Sequence, residues 1–123
     1  MIRVGDEATL TRTFTTRDVE DYLSLGGAPM PEGQVPEPLV GALFSYLLGV
    51  KVPGPGTNYL KQQTRFLAPV PLAMDLTARV AVTRIRPDKH LVDLETTCHG
   101  PDGMLLAEGR ALVYVEDVAG KGW

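Results

Sequence analysis

Cysteine, histidine and an excess of basic charge are nearly absent from this 123-residue sequence, and each scarcity argues against a class of protein. One cysteine, Cys98, excludes an intrachain disulfide and offers no multi-thiolate metal site. His90 and His99 are the only histidines, and without carboxylates placed beside them they make no metal motif. Neither a metal nor a cofactor is expected. With 12 basic against 15 acidic residues the formal net charge is −3, which argues against a sequence-independent nucleic-acid binder, since that needs a basic face. No run is long enough to span a bilayer: the stretch from Pro38 to Val50 is short and broken by Gly41, Ser45 and Gly49. The start, Met1-Ile2-Arg3-Val4-Gly5-Asp6-Glu7, turns acidic at once, unlike a signal peptide. One soluble domain in a reducing cytoplasm is the expectation.

What is present has a clear order. Ala8 to Phe14 reads as a strand, with threonines alternating with larger residues. Thr15-Thr16-Arg17-Asp18 reads as a capped helix start, Val19, Tyr22 and Leu23 follow at helical spacing, and Gly26-Gly27 ends the helix. Four prolines between Ala28 and Pro38 predict an extended loop. Pro38 to Gly49 then predicts a second helix, with proline in the first turn and Gly49 as cap. It is apolar almost all round, so it needs a sheet wrapped about it, or a sheet and a partner subunit. Strands are expected at Tyr59–Leu67, Leu76–Thr83, His90–His99 and Met104–Val115, with turns at Pro87-Asp88-Lys89 and Gly100-Pro101-Asp102-Gly103. The fold class is therefore α+β, with about five antiparallel strands curled around one central apolar helix. The domain should occupy residues 1–117, with 118–123 a loose tail.

The stretch Leu47-Leu48-Gly49, Pro53-Gly54-Pro55-Gly56-Thr57, Tyr59-Leu60-Lys61-Gln62 and Arg65-Phe66-Leu67-Ala68-Pro69-Val70 resembles a segment of the MaoC-like (R)-specific enoyl-CoA hydratases and 3-hydroxyacyl dehydratases. The likeness continues through Thr77-Ala78-Arg79-Val80 and Leu94 to Cys98, and includes Val4-Gly5-Asp6 at the start. It implies a hot-dog fold, a dimer, and acyl-CoA or acyl-carrier-protein thioesters bound at the subunit interface. The family's chemistry sits in a segment of the form SGDxNPxH, where an aspartate and a histidine move protons on the β- and α-carbons of the acyl group. Here that stretch reads Ser24-Leu25-Gly26-Gly27-Ala28-Pro29-Met30-Pro31, so Gly27 stands where the aspartate is expected and no histidine follows. The region before the central helix is also shorter than the family's.

Among the ionisable residues, Glu37 at the start of the apolar helix is the candidate catalytic group, a base or nucleophile acting on a thioester. Its bland reading is helix-terminus electrostatics, which favour an acid there in any case. Glu32, in the loop, is a weaker candidate. The amides of Leu39 and Val40 are candidate oxyanion donors, or meet only water and loop carbonyls. Ser45 is a substrate-lining residue or a small residue allowing close packing. Gly54 and Gly56 belong to a substrate loop or merely to a tight turn, and they lack the lysine of a phosphate loop. Lys61 and Arg65, expected on one strand face with Tyr59 and Gln63, would meet CoA phosphates or form a solvated face. Cys98 reads as a core thiol.

Three functions follow as expectations. The first is a hydratase or dehydratase with its catalytic pair rebuilt. The second is an acyl-binding subunit, in a heterodimer whose catalytic relative supplies the pair. The third is a thioesterase using Glu37. No nucleic-acid or membrane partner is expected.

Overall fold

The computed structural model describes every residue from Met1 to Trp123. Its elements are β1 (Glu7–Thr13), α1 (Thr16–Ser24), α2 (Glu37–Tyr46), a π-helical turn (Leu47–Lys51), β2 (Asn58–Phe66), β3 (Asp75–Arg86), β4 (Leu91–His99) and β5 (Leu105–Tyr114). The strands form one antiparallel sheet in the order β1-β3-β4-β5-β2. This is the expected α+β architecture of five strands with one central apolar helix.

Alternation along the strands explains how the sheet acquires one dry face. Leu76, Ala78, Val80 and Val82 of β3 are buried, and the register sets Val82 opposite Leu94 and Ala78 opposite Cys98. Next in line, Leu94 lies opposite Ala111, Val92 opposite Val113 and Cys98 opposite Ala107, all buried. Into this face α2 inserts Val40, Leu43 and Phe44, and the π-helical turn adds Leu47 and Leu48. Removing each of these large side chains from water contributes about 1.5–3 kcal/mol, so packing rather than local propensity holds the helix.

The opposite face of the sheet is ionic. Arg79 bridges β1 and β4 through Glu7 and Glu95, and Arg86 pairs with Asp93 at 2.7 Å.

Four expectations need correction. Gly49 does not cap α2: the chain continues through the π-helical turn, and the Val52 amide closes it on the Leu47 carbonyl at 2.8 Å. Nor is α2 buried around most of its circumference, since Pro38, Ala42, Ser45 and Tyr46 are exposed in the single chain. Residues 118–123 are not loose, because Val118 is buried in the core, Trp123 packs against it, and the Ile2 amide donates to the Lys121 carbonyl at 3.0 Å. Finally, the even alternation expected of β2 is interrupted. A bulge between Tyr59 and Lys61 shifts the register, so Tyr59 pairs with buried Val113 while Lys61 pairs with Leu112. Tyr59 therefore does not share a face with Lys61 and Arg65. No helix is long and apolar enough to cross a membrane.

Candidate functional site

At the start of α2, Pro36 is the N-cap residue and no side chain caps the helix. Glu37 occupies the first helical position, exposed, with no hydrogen bond or ion pair to any side chain. Pro38 has no amide to give, and the Leu39 amide donates back to the Pro36 carbonyl at 3.0 Å. Leu39 is thus not free to serve as an oxyanion donor, and Val40 is fully buried. Ser45 lies exposed one residue before α2 ends.

The Pro53-to-Thr57 segment is a turn in the literal sense. Gly54 and Gly56 have φ of 95° and 97°, and the Thr57 amide donates to the Gly54 carbonyl at 3.1 Å. A Cβ at Gly56 would lie 2.4 Å from the Asp117 carbonyl oxygen, so glycine here lets the turn press against the C-terminal segment. Lys61 is exposed, and Arg65 is exposed and paired with Glu108 across β2 and β5. Arg65 lines a shallow polar depression on the ionic face, with Gln63, Glu95, Thr97 and Arg110.

The bulge in β2 creates a polar cluster that alternation alone does not show. Gln62 Nε2 donates to the hydroxyls of Thr64 and Thr96, each at 3.0 Å, while the Tyr59 hydroxyl donates to Gln62 Oε1. Thr96 is the one fully buried polar side chain of the core, and this bond satisfies it. Partial burial pushes the Tyr59 phenol up to about 12, which keeps it a donor at neutral pH. Cys98 is pushed up to about 11 by burial, so it is a core thiol rather than a nucleophile. His90 and His99 flank or end β4, and nine residue steps of about 3.3 Å put them roughly 30 Å apart. They form no pair with each other.

The site that sequence reading missed is an apolar cleft of about 490 Å³ between β1, α1 and α2. Leu10 and Phe14 form one wall, Tyr22 and Leu25 another, and Leu39, Ala42, Leu43 and Tyr46 of α2 the third. Its polar residues are already engaged. Arg12 pairs with Asp18 at 3.2 Å and stacks 4.9 Å from the Phe14 ring centre, and Asp21 pairs with Arg17 at 3.1 Å. Gly27 shapes this cleft from behind. A Cβ at position 27 would fall 2.2–2.4 Å from Tyr22 ring atoms, so the ring occupies the space that a side chain there would take. The Gly27 amide also donates to the Tyr22 carbonyl at 3.0 Å, fixing the two residues together. Beyond this, the linker runs to the segment between β2 and β3: the Val35 amide donates to the Val70 carbonyl at 2.7 Å, and the Leu72 amide donates to the Gly33 carbonyl at 3.1 Å.

A sheet wrapped on one helix, with an apolar cleft beside that helix, defines a hot-dog protein, and comparison with known proteins narrows the class. The chain is 34% identical over 126 residues to the (R)-specific enoyl-CoA hydratase of Aeromonas caviae, covering 91% of this chain and 94% of the relative. It is 31% identical over 128 residues to the protein of that name from Rhodospirillum rubrum, covering 93% and 88%. The solved (R)-hydratase from A. caviae involved in PHA biosynthesis superposes with a TM-score of 0.88 at 31% identity, covering 93% of this chain and 97% of that one. No family model matches the chain. It belongs to the (R)-specific enoyl-CoA hydratase family.

Proposed function

We propose that the chain works in the reversible hydration of enoyl thioesters as the acyl-binding half of an assembly, its proton-transferring groups supplied by a histidine-bearing partner. The reaction type rests on family membership, and the division of labour rests on one observation. At the position where the family resemblance expects an aspartate, Gly27 is glycine and the Tyr22 ring fills the side-chain space. A hydratase must hold a water and move a proton to the α-carbon, which needs an acid and a base within hydrogen-bond reach of the same acyl group. Glu37, the one carboxylate at the α2 start, stands exposed with no partner to orient it.

The surface supports a partner. Gly41 and Ser45 lie four residues apart on α2, small residues beside which another helix can approach closely. Tyr59 and Leu60 at the start of the free β2 edge strand and Leu67 just past its end are exposed apolar residues, at 39%, 51% and 44% exposure. An unpaired edge strand flanked by exposed apolar side chains is a surface that a second chain can cover. A homodimer or a heterodimer with a catalytic relative uses the same surface, and the division of labour favours the heterodimer.

The test is to incubate the purified chain with a short trans-2-enoyl-CoA, alone and mixed with a histidine-bearing (R)-hydratase relative, and to follow the products by mass spectrometry. The expected result is unchanged substrate with the chain alone and gain of one water in an assembly that contains it. Hydration by the chain alone overturns the division of labour. Release of free CoA that disappears in Glu37→Gln would instead establish a thioesterase.

A further inference from the structure

Positive charge gathers at the free β2 edge of the sheet, although the chain as a whole is acidic at −3. Lys61, Arg65, Arg110 and Glu108 are all the charged residues of β2 and β5, so cations outnumber the single carboxylate there. Farther in, Arg79 is held by Glu7 and Glu95, and Arg86 by Asp93. At the edge, Lys61 and Arg110 have no ion pair, and Glu108 engages one guanidinium nitrogen of Arg65. Lys61, Gln63 and Arg65 share the ionic face, while Gln62 turns inward to buried Thr96.

This spacing bears on which strand pairs with β2. Residues directly opposite each other in an antiparallel pair point to the same face, and a one-residue slip would turn the ionic face inward. Two copies of β2 related by a twofold axis therefore meet cation to cation in every register of the regular stretch. An axis through Gln63 sets Lys61 opposite the partner's Arg65, twice over. An axis through Lys61 or Arg65 sets that residue against itself, and one through Gln62 or Thr64 leaves like charges on the diagonal. Like charges opposite one another are destabilising, and diagonal neighbours remain within reach of long side chains. An edge lysine discourages strand addition in general. A second cation on the same face adds a preference for sign.

We infer that the β2 edge is biased against a second copy of this chain and fits a relative whose matching strand carries carboxylates opposite Lys61 and Arg65. The inference rests on the partner reading above and adds to it the partner's chemistry. By symmetry each opposed contact occurs twice, so the bias against self-pairing is roughly 2- to 30-fold in association.

The experiment is sedimentation equilibrium of the full chain at low salt, without thioester, for the parent, Lys61→Glu, and a double variant carrying Lys61→Glu and Arg65→Glu. Both positions are exposed, so the replacements do not threaten the fold. Arg84→Glu, at an exposed position of β3 away from the edge, controls for net charge. Lys61→Glu should self-associate at least about 10-fold more tightly than the parent, because its carboxylate meets the partner's Arg65. The double variant, with an acidic edge, should pair with the parent at least about 10-fold more tightly than either pairs with itself. Salt at about 1 M should erase both differences. Equal self-association of parent and Lys61→Glu, the same gain in Arg84→Glu, or no preference of the double variant for the parent overturns the inference. None of these results touches the division of labour, which is read from the products of the enoyl-CoA incubation rather than from mass. Hydration by the chain alone, conversely, overturns that reading and leaves the charge preference standing.

Discussion

The two helices of this chain are made by opposite means. For α1 the instructions are local: the Asp18 amide donates to the Thr15 hydroxyl, the Thr15 amide donates to the Asp18 carboxylate at 2.8 Å, and no residue of the helix is buried. In α2 there is no capping side chain and two prolines stand at the start, yet Phe44 and Val40 are completely buried. A helix held by its cap tolerates change on its faces, and one held by its core tolerates change at its start. The free start of α2 is thus where a fold can vary its chemistry at low cost to stability, and α1 is where a wall of the cleft can be repositioned.

The strongest way to break this contrast is to empty the core beneath α2. Phe44→Ala should lower unfolding stability by about 3–5 kcal/mol in denaturant titration; a loss under ~1 kcal/mol would mean that α2 is not held by packing. At the other helix Thr15→Ala removes the cap and should cost about 1 kcal/mol by the same measurement. The corresponding change at the start of α2, Pro38→Ala, should stay within about 0.5–1 kcal/mol of the parent, since proline there contributes mainly by restricting the unfolded chain.

A pH series sharpens the capping half of the comparison. The Thr15 amide, foremost, and then the Thr15 hydroxyl and Arg12 hold the Asp18 carboxyl below its ordinary value of 3.8. A carboxyl lowered in the folded state contributes stability above the unfolded value, and loses it as pH falls through the lower folded value. Asp18→Asn should therefore melt below the parent at pH 7, and the difference should shrink as pH drops beneath about 3.8. The smallest expected effect is at the exposed Arg17–Asp21 pair, where Arg17→Ala should change stability by no more than about 0.5 kcal/mol.

Much of the fold was legible because its signals are short-range. The Thr15–Asp18 box, the alternation from Leu76 to Val82 and the glycine turn at 54–56 each announce themselves within a few residues. The end of α2 was not, because Leu47 and Leu48 are drawn into the core and carry the helix past Gly49 in a wider turn. The β2 bulge was not either, since strict alternation assigns Tyr59 and Lys61 one face until a register shift parts them. The cleft was least legible of all. Its walls come from Leu10, Tyr22 and Leu39, each unremarkable in its own stretch and joined only by the fold. Glu37 stood out in the sequence because charge is conspicuous in an apolar run, yet conspicuousness says nothing of partners, and it has none among the side chains.

The contact between Gly27 and the Tyr22 ring also sets an order of events. A mutation at 27 that adds any side chain lands on an occupied position, so its first effect is to dislodge Tyr22 rather than to present a new group. A smaller residue at 22 meets no such obstacle. Any lineage that places a functional side chain at 27 therefore travels most easily through position 22 first, and a library that varies 27 alone searches behind a closed door.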